Sequence, residues 1–98
     1  MYDPYVKGRW YRIFIESDGT DKKITESDID VTFSGNNIKM PEGFHVIDKK
    51  YDINCVEHDA AVSIAMDVMI YADGTQGIVG PAAKVFDWAY IYVFGYFK

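Results

Sequence analysis

Apolar and polar residues alternate at a period of two through much of this chain, the spacing of a β-strand with one buried face. Tyr11, Ile13 and Ile15 share one side of a run, residues 10–15, that is rich in aromatic and β-branched side chains. Ile29, Val31 and Phe33 alternate with Asp28, Asp30 and Thr32, which predicts a strand with one wet face. Residues 44–47 and 51–56 predict shorter strands. Turn signals separate these runs at short intervals: Ser17-Asp18-Gly19-Thr20, Gly35-Asn36-Asn37, Pro41-Glu42-Gly43, Asp73-Gly74-Thr75 and Gly80-Pro81. Such spacing leaves little room for long helices. The repeated Asp-Gly-Thr predicts two hairpin tips, because glycine supplies the positive φ of a tight turn.

Residues 59–71 carry two patterns at once. Asp59, Ser63 and Asp67 are four apart, which fits one stripe of a helix or one face of a strand. Ala60, Ala61, Ala65, Met66 and Met69 favour a helix with Asp59 as its N-cap. Val62, Ile64, Met66, Val68 and Ile70 alternate strictly and run into an Asp-Gly turn, which favours a hairpin of residues 62–71 with 76–86, bulged at Gly80-Pro81. The C-terminal segment is plainer. Phe86, Trp88, Tyr90, Tyr92, Phe94 and Tyr96 share one face of an extended strand, and Val85, Ala89, Ile91, Val93 and Phe97 the other. A strand apolar on both faces is normally covered on both. The expected fold is β-rich and mostly antiparallel, a small sheet, barrel or sandwich with tight hairpins in one compact domain over residues 1–98. The alternative is an α+β fold with one helix at about 59–71 packed on an antiparallel sheet.

Composition narrows the classes. Hydrophobic residues are 49% and charged residues 26% of 98 positions, the proportions of a globular domain rather than a disordered or collagen-like chain. Cys55 is the only cysteine, so no internal disulfide can form. The start, Met1-Tyr2-Asp3-Pro4-Tyr5-Val6-Lys7, lacks the apolar core of a secretory signal. The most apolar stretch, residues 89–97, is about half the roughly 20 residues of a membrane-crossing helix. A soluble cytoplasmic chain is expected, including the cytoplasm of a host cell infected by a phage, with no membrane partner. The net charge is −5 and the bases are scattered, with Lys22-Lys23 and Lys49-Lys50 the only doublets. That argues against direct nucleic-acid binding, which needs clustered cations.

No catalytic set stands out. Cys55-x-x-His58, with His45, falls short of the four paired ligands of a structural zinc site. Cys55 and His58, three apart on a strand, point to opposite faces and make a poor nucleophile–base pair. Residues 74–80 are glycine-rich, but no Gly-Lys-Ser/Thr follows and Pro81 removes an amide donor, so a phosphate cradle is not expected. No catalytic residue, metal or cofactor is assigned.

Two surfaces are candidates instead. Glu26, Asp28 and Asp30 would share one face of an extended strand at about 6.6 Å intervals, an anionic row like the phosphates of a nucleic-acid strand. Glu16, Asp18 and Asp21 from the neighbouring hairpin would join them, making a surface that competes for a basic nucleic-acid-binding groove. The second surface is the aromatic row Trp88, Tyr90, Tyr92, Phe94 and Tyr96, a candidate interface in a homo-oligomer. Three functions follow from these features. The first is a non-enzymatic protein-binding module, a small acidic inhibitor of the immunity or phage anti-defence kind, nucleic-acid mimics among them, that blocks a basic surface on another protein. The second is a self-assembling structural subunit, as in a virion or tail, using the aromatic strand or its free edge. The third is an enzyme or small-ligand binder built on His58 and Asp59 with Glu57 and His45.

Overall fold

The computed structural model describes residues 8–55 and 67–98. Their strands are β1 (Arg9–Ser17), β2 (Lys22–Ser27), β3 (Thr32–Ser34), β4 (Asn37–Lys39), β5 (Phe44–Cys55), β6 (Val68–Ile70), β7 (Gln76–Ile78) and β8 (Phe86–Phe97), with one 3₁₀ turn at Ala83–Val85. They form two antiparallel four-stranded sheets, ordered β2-β1-β8-β5 and β3-β4-β7-β6. The expected β-rich, hairpin-built fold is therefore observed. Among the described residues there is no α-helix, and none long and apolar enough to cross a membrane.

Both Asp-Gly-Thr sequences sit at hairpin tips. The Asp18 carboxylate accepts hydrogen bonds from the Thr20 and Asp21 amides at 2.9 and 2.8 Å, and the Asp73 carboxylate accepts one from the Thr75 amide at 2.9 Å. The glycine after each aspartate has a positive φ, 95° at Gly19 and 86° at Gly74, so each side chain caps the turn its own backbone makes. At the second tip β6 pairs with β7 in the register Val68↔Ile78, Met69↔Gly77 and Ile70↔Gln76. Of the two-patterned segment 59–71, this described end is strand, and the helix expected as the alternative does not reach it. The rest, through residue 66, lies outside the described residues.

The expected strand through Ile29, Val31 and Phe33 is interrupted. β2 ends at Ser27, β3 starts at Thr32, and residues 28–31 carry the chain from one sheet to the other. Local hydrogen bonds explain the break. The Ser27 hydroxyl donates to the Ile29 carbonyl and accepts from the Ile29 amide, while the Asp28 carboxylate accepts the Arg12 amide at 3.1 Å. Side chains of this kind offer the backbone an alternative to the ladder. Ile29 and Val31 are still buried, now in a connection rather than a strand.

The core lies between the sheets. Tyr11, Ile13 and Ile15 of β1, Ala89, Ile91 and Val93 of β8, and Phe44 and Val46 of β5 face Ile38, Met40 and Ile78 of the second layer. Phe86 joins this cluster, fully buried, and so departs from the aromatic face on which its spacing from Trp88 would put it. It enters β8 directly from the 3₁₀ turn, beside a register shift between Asn54 and Cys55 of β5. Polar ties join the layers. The Val46 amide donates to the Gln76 side-chain oxygen at 2.6 Å, the Ser17 hydroxyl donates to the Ala83 carbonyl, and the Lys22 ammonium donates to the Asn36 and Pro81 carbonyls at 3.0 Å each.

Gly95 marks the tightest approach in the first sheet. A Cβ there would collide with the His45 carbonyl oxygen and meet the Phe44 ring at 2.7 Å. In an ordinary strand alanine is favoured over glycine by roughly 0.5–1 kcal/mol. Here the sign should reverse: Gly95→Ala is expected to destabilise the fold by about 1–3 kcal/mol, as overpacking does. Thermal unfolding followed by circular dichroism checks this, and an unchanged or raised midpoint would contradict it.

Candidate docking site

β8 is hydrogen-bonded along both edges, to β1 and to β5. The free edge considered for it does not exist among these pairings, and only its outward face is available to a partner. Residues opposite each other in an antiparallel pair project to the same face, so the register defines what surrounds that face. Trp10 lies opposite Phe94, Arg12 opposite Tyr92, Phe14 opposite Tyr90, and Glu16 opposite Trp88. From the other side, His45 lies opposite Tyr96, Asp48 opposite Phe94, Lys50 opposite Tyr92, Asp52 opposite Tyr90, and Asn54 opposite Trp88. Glu26 of β2 completes one row beside Phe14.

The result is a continuous aromatic strip with charged ends. Ring centroids are 5.3 Å apart for Trp10–Phe94, 4.5 Å for Phe14–Tyr90, 5.6 Å for Trp88–Tyr90, 6.4 Å for Tyr90–Tyr92 and 5.3 Å for His45–Tyr96. One cross-strand row runs Glu26, Phe14, Tyr90, Asp52 and is acidic at both ends. The next runs Arg12, Tyr92, Lys50 and is basic at both. The Lys50 ammonium lies 4.7 Å from the Trp10 ring centre and 5.4 Å from that of Tyr92, and the Arg12 guanidinium 5.8 Å from that of Tyr90. These ring faces already attract cations. Trp88, Tyr90, Tyr92, Phe94 and Tyr96 are half-buried, and Trp10 is 44% exposed.

The acidic residues do not form the single row expected of them. Glu26 is the next-to-last residue of β2, and Asp28 and Asp30 lie beyond its end, so even strand spacing does not run through all three. Glu16, Asp18 and Asp21 line one concavity of about 290 Å³ together with Ser17, Lys22 and Lys23. Asp28 and Asp30 line a separate, open hollow with Ile24, Ser27, Ile29 and Val31. Several acids serve the fold itself. Glu16 accepts the Thr25 hydroxyl at 2.6 Å, Asp28 holds the Arg12 amide, and Glu26 approaches the Arg12 guanidinium at 3.8 Å. Backbone hydrogen bonds from Asp21 and Thr20 keep the Asp18 carboxyl below its ordinary pKa. Burial lowers that of Lys22, whose charge is spent on tying the layers together. The two candidate surfaces meet at Glu16 and Glu26, which the register places on the aromatic face.

Trp10, Arg12, Phe14 and Lys50 belong to this face and were not singled out from the sequence. The alternation of residues 10, 12, 14 and 16 with Tyr11, Ile13 and Ile15 was the available signal, but only the pairing of β1 with β8 gives it meaning. The His45 ring lies tilted against Tyr96 at the end of the strip, and Glu57, His58 and Asp59 lie outside the described residues. No cluster of three potential metal ligands occurs among the described residues. No family model, curated protein or solved structure matches the chain.

A carboxyl whose pKa falls on folding stabilises the folded chain above its unfolded value, and that contribution is lost as the pH drops through the folded one. For Asp18 the window lies below 3.8. Asp18→Asn keeps the turn-capping oxygen and removes the charge, so its urea midpoint should fall less steeply than wild type as the pH drops below 3.8. Superimposable pH profiles would contradict the assignment.

Proposed function

We propose that this chain is a non-enzymatic protein-binding module that docks a basic surface of another protein onto the outer face of its four-stranded sheet, and that it acts as an inhibitor by covering that surface in the cytoplasm. The observation that carries this reading is the half-accessible strip from Trp10 and Phe94 to Trp88, edged by Glu16, Glu26, Asp48 and Asp52. Tryptophan and tyrosine dominate binding hot spots because they bury a large area with few rotatable bonds. Carboxylates beside them suit incoming arginine and lysine, whose charges can lie on the ring faces. The net charge of −5 would speed encounter with a basic partner and suppress acidic ones. Mimicry of an evenly spaced phosphate row has less support, because Glu26, Asp28 and Asp30 do not share one strand.

Both tryptophans of the chain, Trp10 and Trp88, lie on this face, so intrinsic fluorescence reports its occupation. Titration with an arginine-rich peptide is expected to change that fluorescence with an affinity that weakens as salt is added. Tyr90→Ala, or Glu16→Lys combined with Glu26→Lys, should weaken binding by roughly 10–30-fold, the size of a hot-spot loss. A single-stranded oligonucleotide should produce no change. Binding of the oligonucleotide with none of the peptide, or binding of neither, would overturn the reading.

A further inference from the structure

The charges on the outer face of the first sheet alternate in bands across β8. The Tyr90 row carries two carboxylates, Glu26 and Asp52, the Tyr92 row two cations, Arg12 and Lys50, and the Phe94 row one carboxylate, Asp48. In the Trp88 row Glu16 stands opposite Lys23, so its charge is offset and the alternation ends there. Every charge in the three bands is exposed, as is Trp10 beside Asp48.

Neither cation is tightly paired within the chain. Lys50 has Asp48 and Asp52 two residues away on the same face, yet its ammonium lies over the Trp10 and Tyr92 rings, and no carboxylate pairs with it among the described residues. Arg12 lies over the Tyr90 ring and approaches Glu26 only at 3.8 Å, the two side chains being 49% and 68% exposed. An exposed pair that loose contributes little. A partner that is simply basic would set like charges against the Tyr92 row, at a cost, whereas a carboxylate there would be met from both sides. Arg12 and Lys50 stand about 10 Å apart across the sheet, on the strands flanking β8. Both side chains are long enough to turn onto a carboxylate above Tyr92.

Successive rows lie about 6.7 Å apart along β8, an interval that an extended chain repeats at every second residue. A helix rises about 1.5 Å per residue, and no whole number of residues repeats that interval on one of its faces. We propose that the docked segment is extended and carries a carboxylate between two cations at alternate residues. The carboxylate seats on Tyr92 between Arg12 and Lys50, one cation lies over Tyr90 toward Asp52 and Glu26, and the other beside Trp10 and Asp48. The order reads the same in both chain directions, so the bands fix the segment's position without fixing its polarity. The inference rests on the docking reading and narrows the partner from a basic surface to one of alternating charge.

Tryptophan fluorescence titrations with three end-blocked peptides test it: Arg-Thr-Glu-Thr-Arg, Arg-Thr-Gln-Thr-Arg and Thr-Arg-Glu-Arg-Thr. On net charge alone the glutamine peptide, the most cationic, binds an acidic chain best. The banded face requires the opposite order. Arg-Thr-Glu-Thr-Arg is expected to bind roughly three- to tenfold more tightly than either of the others, the range for two exposed ion pairs. Arg12→Gln combined with Lys50→Gln should reverse the order of the first two peptides while still binding the glutamine peptide, which shows that the variant folds. Lys50→Gln alone should remove most of the preference. Equal or tighter binding of the glutamine peptide by wild type overturns the inference and leaves the docking reading standing. So does equal binding of Thr-Arg-Glu-Arg-Thr, or a glutamate preference that survives in both variants. Binding of none of the three peptides overturns both.

Discussion

The structure depends on one strand having no solvent edge and no polar face. β8 is hydrogen-bonded on both sides, and its inward residues Ala89, Ile91 and Val93 are fully buried. Fully burying an isoleucine or valine stabilises a fold by about 1.5–3 kcal/mol, so β8 organises whatever surrounds it. Its small residues matter as much as its large ones. Ala89 and Gly95 leave space on the inner face, and Phe44 lies against the backbone at Gly95. β1 and β5 flank it because they can pair with it, and the second sheet covers it because Ile38, Met40 and Ile78 need the same cover.

The polar residues divide between holding this arrangement and facing outward. Lys22 is the clearest of the first kind. Its ammonium reaches two carbonyls in the β3–β4 turn and the β7–β8 connection and lies over the Phe33 ring at 4.8 Å, linking the β1–β2 hairpin to the second layer. A half-buried cation bonded only to neutral carbonyls costs desolvation, which is why its pKa falls. The acids at the hairpin tips likewise bond to their own turns. What stays outward is a mixed set of rings, carboxylates and cations, with Glu16 and Glu26 at one margin beside Lys23, and Asp48 and Asp52 at the other.

Local chemistry was legible in the sequence wherever a few neighbouring residues decide it. The tips at Asp18-Gly19 and Asp73-Gly74 follow from the φ each turn needs, and the buried side of β1 follows from alternation. The strand at Val68–Ile70 was foreshadowed in the same way, although helix and strand periods both fitted the longer segment around it. The acidic row failed for an equally local reason: the Ser27 hydroxyl and the Asp28 carboxylate end the β2 ladder at Ser27, short of Asp30, through which alternation would carry it. What could not be read was which strands are neighbours. Nothing near Arg12 or Phe14 announces that Tyr92 and Tyr90 lie beside them, so half of the aromatic face stayed hidden in plain alternation.

That central placement also governs how the chain must fold. β1 and β8 meet across roughly seventy to ninety positions of sequence, and contacts so distant are slow to find because the loop between them must close first. The β1–β2 hairpin, by contrast, is joined by a short turn and can form on its own. Until β8 arrives, the edge of β1 that it will occupy is unpaired, with Ile13 and Ile15 beside it. The same strand that completes the sheet is therefore its kinetic bottleneck, and a half-folded chain carries an adhesive edge that the native one has closed.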